Sequence, residues 1–75
     1  MLITYDGEAD ILYIELRQAA AEDSKDIEEG VTALLDREVH IVGLELLDAS
    51  ERLGKEQLHS VTLKDLAFEP SLSKG

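Results

Sequence analysis

The sequence predicts an α+β fold, in which a four-stranded antiparallel β-meander is followed by a short capped helix and a further C-terminal helical segment. Residues 11–16 alternate apolar side chains between two directions, which is the pattern of a strand. Residues 41–47 form another apolar run and lead into Asp48, with Glu51 three residues later, a spacing typical of a helix N-terminus. The segments between the apolar runs are too short for helical crossovers, so the sheet should be antiparallel.

The four strands are predicted to follow one another along the chain. Residues 2–5 are a short β-rich run, and residues 6–10 are a five-residue turn that contains Gly7. The polar segment 17–25 is predicted to be a loop. The third strand is introduced by Gly30, and the fourth strand is the apolar run before Asp48. The third strand is assigned to residues 31–36, and residues 26–29 are expected to extend it at its N-terminal end. Residues 37–40 connect it to the fourth strand.

The helical region begins after the fourth strand. Asp48 is predicted to be the N-cap of a helix over residues 49–53. Gly54 follows the last turn, at a position that favours a left-handed backbone conformation. Residues 55–59 are expected to form a second helical turn. Residues 60–68 fit either a strand or a helix, and we favour the helix. Residues 1–69 are therefore predicted to be one α+β domain, with a frayed tail over residues 70–75.

Composition limits the classes of function. The 75 residues carry a formal net charge of −10 and no cysteine, which excludes disulfides and thiolate metal sites. Phosphate contacts need clustered Lys and Arg, so we expect no nucleic-acid binding. The sequence starts without a signal-peptide pattern and has no long apolar run, so we expect a cytoplasmic protein that does not enter a membrane. An acidic surface suits a basic protein partner or cations.

Both faces of the predicted sheet carry apolar side chains. One face would form a core beneath the C-terminal helical segment, with Leu2, Leu12, Ile14, Leu16, Val42, Leu44 and Leu46. A single short helix cannot cover the second face as well, and an exposed apolar face usually marks an interface. We therefore expect a homodimer. Its interface is predicted to contain Ile3, Tyr5, Ile11, Tyr13, Ile41, Gly43 and Leu47.

Gly43 and the two tyrosines of the predicted interface each suggest a particular contact. Gly43 inside a strand would permit a close approach by another chain or a large side chain. Tyr5 and Tyr13 are expected to face each other across the hairpin, as a ligand contact or, more simply, as a stabilising cross-strand pair.

Several short motifs together resemble the small bacterial domain-of-unknown-function family 2283. They are Tyr5-Asp6, Glu8-Ala9-Asp10, Leu12-Tyr13-Ile14, Gly30-Val31, Leu35-Asp36 and the run from Ile41 to Ser50. The resemblance covers roughly residues 2–53 and implies a small α+β domain with an antiparallel sheet and no established activity. Some family members are encoded beside proteins of the small ribonuclease-toxin type, so the resemblance also suggests an antitoxin-like role.

No catalytic motif is evident. Asp6, Glu8 and Asp10 are candidate cation ligands, but the spacing does not match a calcium loop, and aspartates at these positions also stabilise tight turns. We predict a non-enzymatic, oligomeric interaction module without a cofactor, in which an acidic surface binds a basic protein. The alternative is a small carboxylate-based metal-binding enzyme or hydrolase that works through these three residues and Asp48.

Overall fold

A computed structural model describes residues 1–64 as a five-stranded antiparallel sheet followed by two short helical segments. The strands are β1 (Leu2–Asp6), β2 (Ile11–Glu15), β3 (Asp23–Glu28), β4 (Val31–Leu35) and β5 (Ile41–Leu47). They are followed by the helix α1 (Ala49–Leu53) and a 3₁₀ helix (Lys55–His59). The α+β class is confirmed, whereas the predicted number of four strands is wrong.

The strand order is β1-β2-β5-β4-β3, so the sheet is not a simple meander. The short connections predict that strands adjacent in sequence also pair with each other in the sheet. Instead, the connection after β2 crosses the end of the sheet, where the N–H of Leu16 donates to the carbonyl of Val42 at 2.9 Å. At its far end the N–H of Glu22 donates to the carbonyl of Leu35 at 2.8 Å. The chain thus reaches the opposite edge, and β5 fills the centre between β2 and β4.

Strand β3 lies where the sequence predicted a loop over residues 17–25 and an extension of the next strand over residues 26–29. All six of its residues are exposed, and it pairs only with β4. An edge strand of this kind is held by backbone hydrogen bonds and has no alternating apolar pattern to reveal it. Four of the six residues are charged, and the register shifts between Asp26 and Glu28, two devices that protect a sheet edge from further pairing.

The β1–β2 hairpin differs from the prediction by one residue. Its turn contains four residues, 7–10, because Asp6 pairs with Ile11. A five-residue turn would have placed Tyr5 opposite Ile11, and a slip of one residue moves every side chain of a strand to the other face. Tyr5 instead pairs with Leu12, and Ile3 changes face with it. The predicted pairing of the two tyrosines across the hairpin is therefore wrong.

The register places two rows of apolar side chains on one face of the sheet, which we call the apolar face. Each row crosses β1, β2, β5 and β4. Of these eight side chains Ala33 is buried at 2% exposure, Tyr5 is 41% exposed, and the others are half-buried. The rows are Ile3, Ile14, Leu44 and Ala33, and Tyr5, Leu12, Leu46 and Val31.

No second layer covers the apolar face within residues 1–64. Helix α1 and the 3₁₀ helix pack mainly on each other at one end of the sheet. The buried hydrophobic side chains of this part of the chain are only Ala33, Leu35, Val42 and Ala49. Residues 1–64 therefore form a thin sheet with a small core.

The helical segments Ala49–Leu53 and Lys55–His59 agree with the predicted ranges, although the second is a 3₁₀ helix. Gly54 ends α1 with a φ of 88°, and its N–H donates to the carbonyl of Ser50 at 2.9 Å. The helix favoured over residues 60–68 is absent from residues 60–64. Its remaining part, and the tail at 70–75, lie outside the described residues.

Candidate functional site

The turn of the β1–β2 hairpin is tied to the start of α1 by Asp10. The Oδ1 atom of Asp10 accepts hydrogen bonds from the Tyr5 hydroxyl at 2.7 Å and the Ser50 backbone N–H at 2.9 Å. Its Oδ2 atom accepts one from the Ser50 hydroxyl at 2.7 Å. The Asp10 carbonyl also accepts the N–H of Ala49 at 3.0 Å. We call the side chains of Tyr5, Asp10 and Ser50 the Asp10 cluster.

The Asp10 cluster supplies the helix cap that had been predicted for Asp48. Asp48 has a left-handed backbone, with φ 54° and ψ 47°, and its side chain makes no capping hydrogen bond. The Asp10 carboxylate instead accepts the N–H of Ser50, and the Asp10 carbonyl accepts that of Ala49, so the cap comes from about 40 residues earlier in the chain. The predicted N-cap role of the Asp48 side chain is wrong, because the hairpin turn brings a better-placed acceptor to the helix.

The electrostatics of the cluster indicate a structural role. The hydrogen bond from the Tyr5 hydroxyl, followed by those from the hydroxyl and N–H of Ser50, holds the pKa of Asp10 below its usual value. The charge of Lys55 lowers it further, and desolvation opposes the shift. The same contact with Asp10 raises the pKa of Tyr5. A carboxylate with a lowered pKa is a weaker general base at neutral pH than an ordinary one, which disfavours activation of Ser50 as a nucleophile.

The other proposed cation ligands serve the turn as well. The Oδ1 atom of Asp6 accepts the backbone N–H groups of Glu8 and Ala9 at 3.0 and 3.2 Å. This is the turn chemistry that aspartate favours. Within residues 1–64 no group of three or more His, Cys, Asp or Glu side chains is arranged to hold a metal ion.

Asp36 organises the connection between β4 and β5 in a similar way. Its Oδ1 atom accepts the N–H groups of Glu38 and His40, both at 2.9 Å, and its Oδ2 atom contacts the Arg17 guanidinium at 2.6 Å. The N–H of His40 is the largest of the contacts that lower the pKa of Asp36. The tight loop leaves Val39 with a φ of 68° and 71% exposure, an unfavourable conformation for a β-branched residue.

An open cavity of ≈ 510 Å³ lies beside the Asp10 cluster. The cluster forms one wall, and Lys55, Leu58 and His59 of the 3₁₀ helix line the other. The volume is within the range of about 300–1,000 Å³ that is common for small-molecule sites. Sequence reasoning did not predict this cavity, because it forms only where the β1–β2 hairpin meets the helical segments that follow β5.

The predicted interface residues are divided between the two faces. Ile3 and Tyr5 lie on the apolar face, whereas Ile11, Tyr13, Gly43 and Leu47 lie on the opposite one. Ile41 is 47% exposed at the irregularity where β4 meets β5. The Tyr13 ring covers Gly43 at about 3.1 Å from the position of a Cβ atom, so the close approach expected at this glycine occurs within the chain.

Charge is distributed unequally between the faces. On β3 the apolar face carries two acids and one base, Asp23, Glu28 and Lys25, a net charge of −1. The side chains that the register places on the opposite face include four acids and no base, so we call it the acidic face. These acids are Asp6, Glu15, Asp26 and Glu45.

Comparison with known families gives one match. The family model described as a protein of unknown function (DUF2283) matches residues 2–50, which are 49 of the 75 residues. The chain belongs to this family. The region shared with DUF2283 starts in β1 and ends at Ser50, so it includes the sheet and the whole Asp10 cluster. The 3₁₀ helix that forms the second wall of the cavity lies outside the matched region.

No curated protein and no solved structure matches this DUF2283 chain. Family membership therefore confirms the resemblance found in the sequence and supplies no activity. Within residues 1–64 there is no helix of the length and apolar character needed to cross a membrane.

Proposed function

We propose that this protein is a non-enzymatic interaction module that forms a homodimer through the apolar face and presents the acidic face to a basic protein. The observation that carries the proposal is that residues 1–64 place no second layer over the apolar face, whose two rows hold eight apolar side chains with only one of them buried. A sheet normally packs against a second layer to bury such a face. A second copy would provide that layer about 10 Å away.

The distribution of charge supports a second copy as the occupant of the apolar face. Two chains with a net charge of −10 repel each other, so self-association favours the surface with the least net charge. On β3 the apolar face carries Asp23, Lys25 and Glu28, a net charge of −1, whereas the opposite face carries four acids and no base. The acidic face would remain outside in a face-to-face dimer. Its four carboxylates suit a basic partner, and complementary charge would raise the rate of association.

An enzymatic role has less support from the described residues. The carboxylates that a hydrolase or metal enzyme would use, Asp6 and Asp10, accept hydrogen bonds from backbone and hydroxyl groups that shape the turn and the helix. These contacts explain both residues without a substrate.

Sedimentation equilibrium of the wild type and two matched variants tests the dimer. Leu44 lies on the apolar face and Leu34 on the acidic face, and both are half-buried residues of adjacent strands. We expect a dimer for the wild type and Leu34→Gln, and a folded monomer for Leu44→Gln, with folding checked by circular dichroism. A monomeric wild type at tens of micromolar, or equal effects of the two substitutions, would contradict the proposal.

A separate experiment tests the basic partner. The double variant Glu15→Gln/Glu45→Gln removes two charges from the acidic face, and Glu38→Gln/Glu51→Gln removes two charges elsewhere. Capture of a basic protein that is lost at high salt, weakened by the first pair and kept by the second would support the proposal. Equal weakening by both pairs would assign the attraction to overall charge alone.

A further inference from the structure

The Asp10 cluster gives the cavity a wall of hydrogen-bond acceptors. The hydroxyls of Tyr5 and Ser50 each have one proton, and both donate it to Asp10. Only oxygen lone pairs therefore remain available to a ligand at these two side chains. The Oδ2 atom of Asp10 accepts a single hydrogen bond and has capacity for another. This wall is complementary to a positively charged group with several N–H donors.

The part of the lining that the 3₁₀ helix contributes has the reverse chemistry. Lys55 and His59 come from the 3₁₀ helix, and neither forms an ion pair within residues 1–64. The three arginines of this part of the chain all have carboxylate partners. A lysine ammonium offers three donors and no acceptor, which suits a carboxylate. Leu58 lies between the two side chains in sequence and is half-buried, so it adds an apolar surface.

We propose that this cavity binds a small zwitterion of the α-amino acid type. The ligand's ammonium group would donate to the oxygens of Tyr5, Asp10 and Ser50, and its carboxylate would pair with Lys55. An apolar side chain would contact Leu58. The volume of ≈ 510 Å³ accommodates such a molecule with its side chain. A simple anion or a simple cation satisfies one wall and leaves the other without a partner. Tyr5 belongs both to the cavity lining and to the apolar face, but the experiments below read ligand binding separately from the homodimer.

An NMR titration of the full chain tests the ligand class. L-leucine is compared with N-acetyl-L-leucine, which lacks the ammonium charge, and with L-leucinamide, which lacks the carboxylate. We expect shifts of the Gly7, Ser50 and Leu58 amides with a Kd of about 1 mM for leucine, as suits so small a ligand, and roughly tenfold weaker binding of each derivative. The absence of shifts with leucine at about 20 mM, or equal binding of a derivative, would overturn the proposal.

Two lysine variants provide the matched control. Lys55→Gln removes the cation of the cavity, and Lys25→Gln removes an exposed lysine of β3. Lys55 forms no hydrogen bond or ion pair with another described side chain, so we expect its variant to fold. Leucine binding should weaken about tenfold, or by ~1.4 kcal/mol, in Lys55→Gln and stay unchanged in Lys25→Gln. Unchanged binding in both variants would refute the assignment, whatever the oligomeric state.

Discussion

Replacement of Gly30 by alanine tests the contact between the β3–β4 turn and helix α1. Gly30 has a φ of 86°, and a Cβ atom built there would overlap with the Nη2 atom of Arg52. That nitrogen donates to the carbonyl of Glu29 at 2.8 Å, and Nη1 of the same guanidinium contacts Glu28 at 3.0 Å. Gly30→Ala would thus strain the backbone and displace the guanidinium from both partners.

The expected loss of stability combines three contributions. A left-handed conformation costs an L-residue about 1–2 kcal/mol. Loss of the hydrogen bond to the Glu29 carbonyl costs about 0.5–1.5 kcal/mol, and the ion pair with the exposed Glu28 carboxylate contributes less than about 1 kcal/mol. The lower entropy of alanine in the unfolded chain offsets about 0.4–1 kcal/mol. The net destabilisation should be about 2 kcal/mol, a large fraction of the stability of a small domain.

Urea denaturation of Gly30→Ala, at a fixed protein concentration, measures this loss. Gly7→Ala is the matched control, because Gly7 does not have a positive φ and a Cβ atom there would lie 3.7 Å from the Tyr5 ring, an ordinary contact distance. The control should change the free energy of unfolding by less than about 1 kcal/mol. Equal effects of the two substitutions would show that neither the backbone conformation nor the position of Arg52 matters to folding.

Three further predictions concern other positions. Because the folded pKa of Asp10 is lowered, its carboxylate stabilises the fold above its ordinary value of 3.8, and this stabilisation is lost as the pH falls through the folded pKa. Asp10→Asn should therefore lower the melting temperature at neutral pH. The melting temperature of the variant should also decrease less than that of the wild type between about pH 5 and pH 2, and parallel plots of melting temperature against pH would contradict this. Val39→Asn should raise the free energy of unfolding by about 0.5–1 kcal/mol, because asparagine tolerates the left-handed conformation, and a decrease in urea denaturation would refute the strain. Gly43→Val should destabilise the protein by about 1–3 kcal/mol through collision with the Tyr13 ring and the Ile14 carbonyl, and thermal melting unchanged from the wild type would count against that packing.

The sequence was sufficient to predict the elements whose signals are local. Strand β5 and helix α1 have the predicted bounds, because an apolar run ends directly at a helix-start pattern and Gly54 ends the helix. Strand β3 could not be found in this way, since all of its residues are exposed. The side of the sheet on which Tyr5 lies depends on whether Asp6 belongs to the turn or to β1. Because the predicted turn was one residue too long, every side chain of β1 was assigned to the wrong face.

The candidate site was less predictable than the fold. Asp48 and Ser50 both suit a helix start by residue type, and only the position of the hairpin turn shows that Asp10 provides the cap. Such a contact between residues 40 positions apart has no local pattern. One signal was present in the sequence: Asp10 and Ser50 both lie in motifs that resemble the family, which singled them out before their contact was known.

The most direct test of the central claim is to identify which face of the sheet meets a second copy. Isotope-filtered NMR of a mixture of labelled and unlabelled chains detects contacts between copies only. We predict cross-peaks from the methyl groups of Ile14, Leu44 and Leu46 to the partner. Cross-peaks that arise instead from Leu34 and Tyr13 on the acidic face, or none at a concentration where sedimentation shows a single chain, would contradict the account.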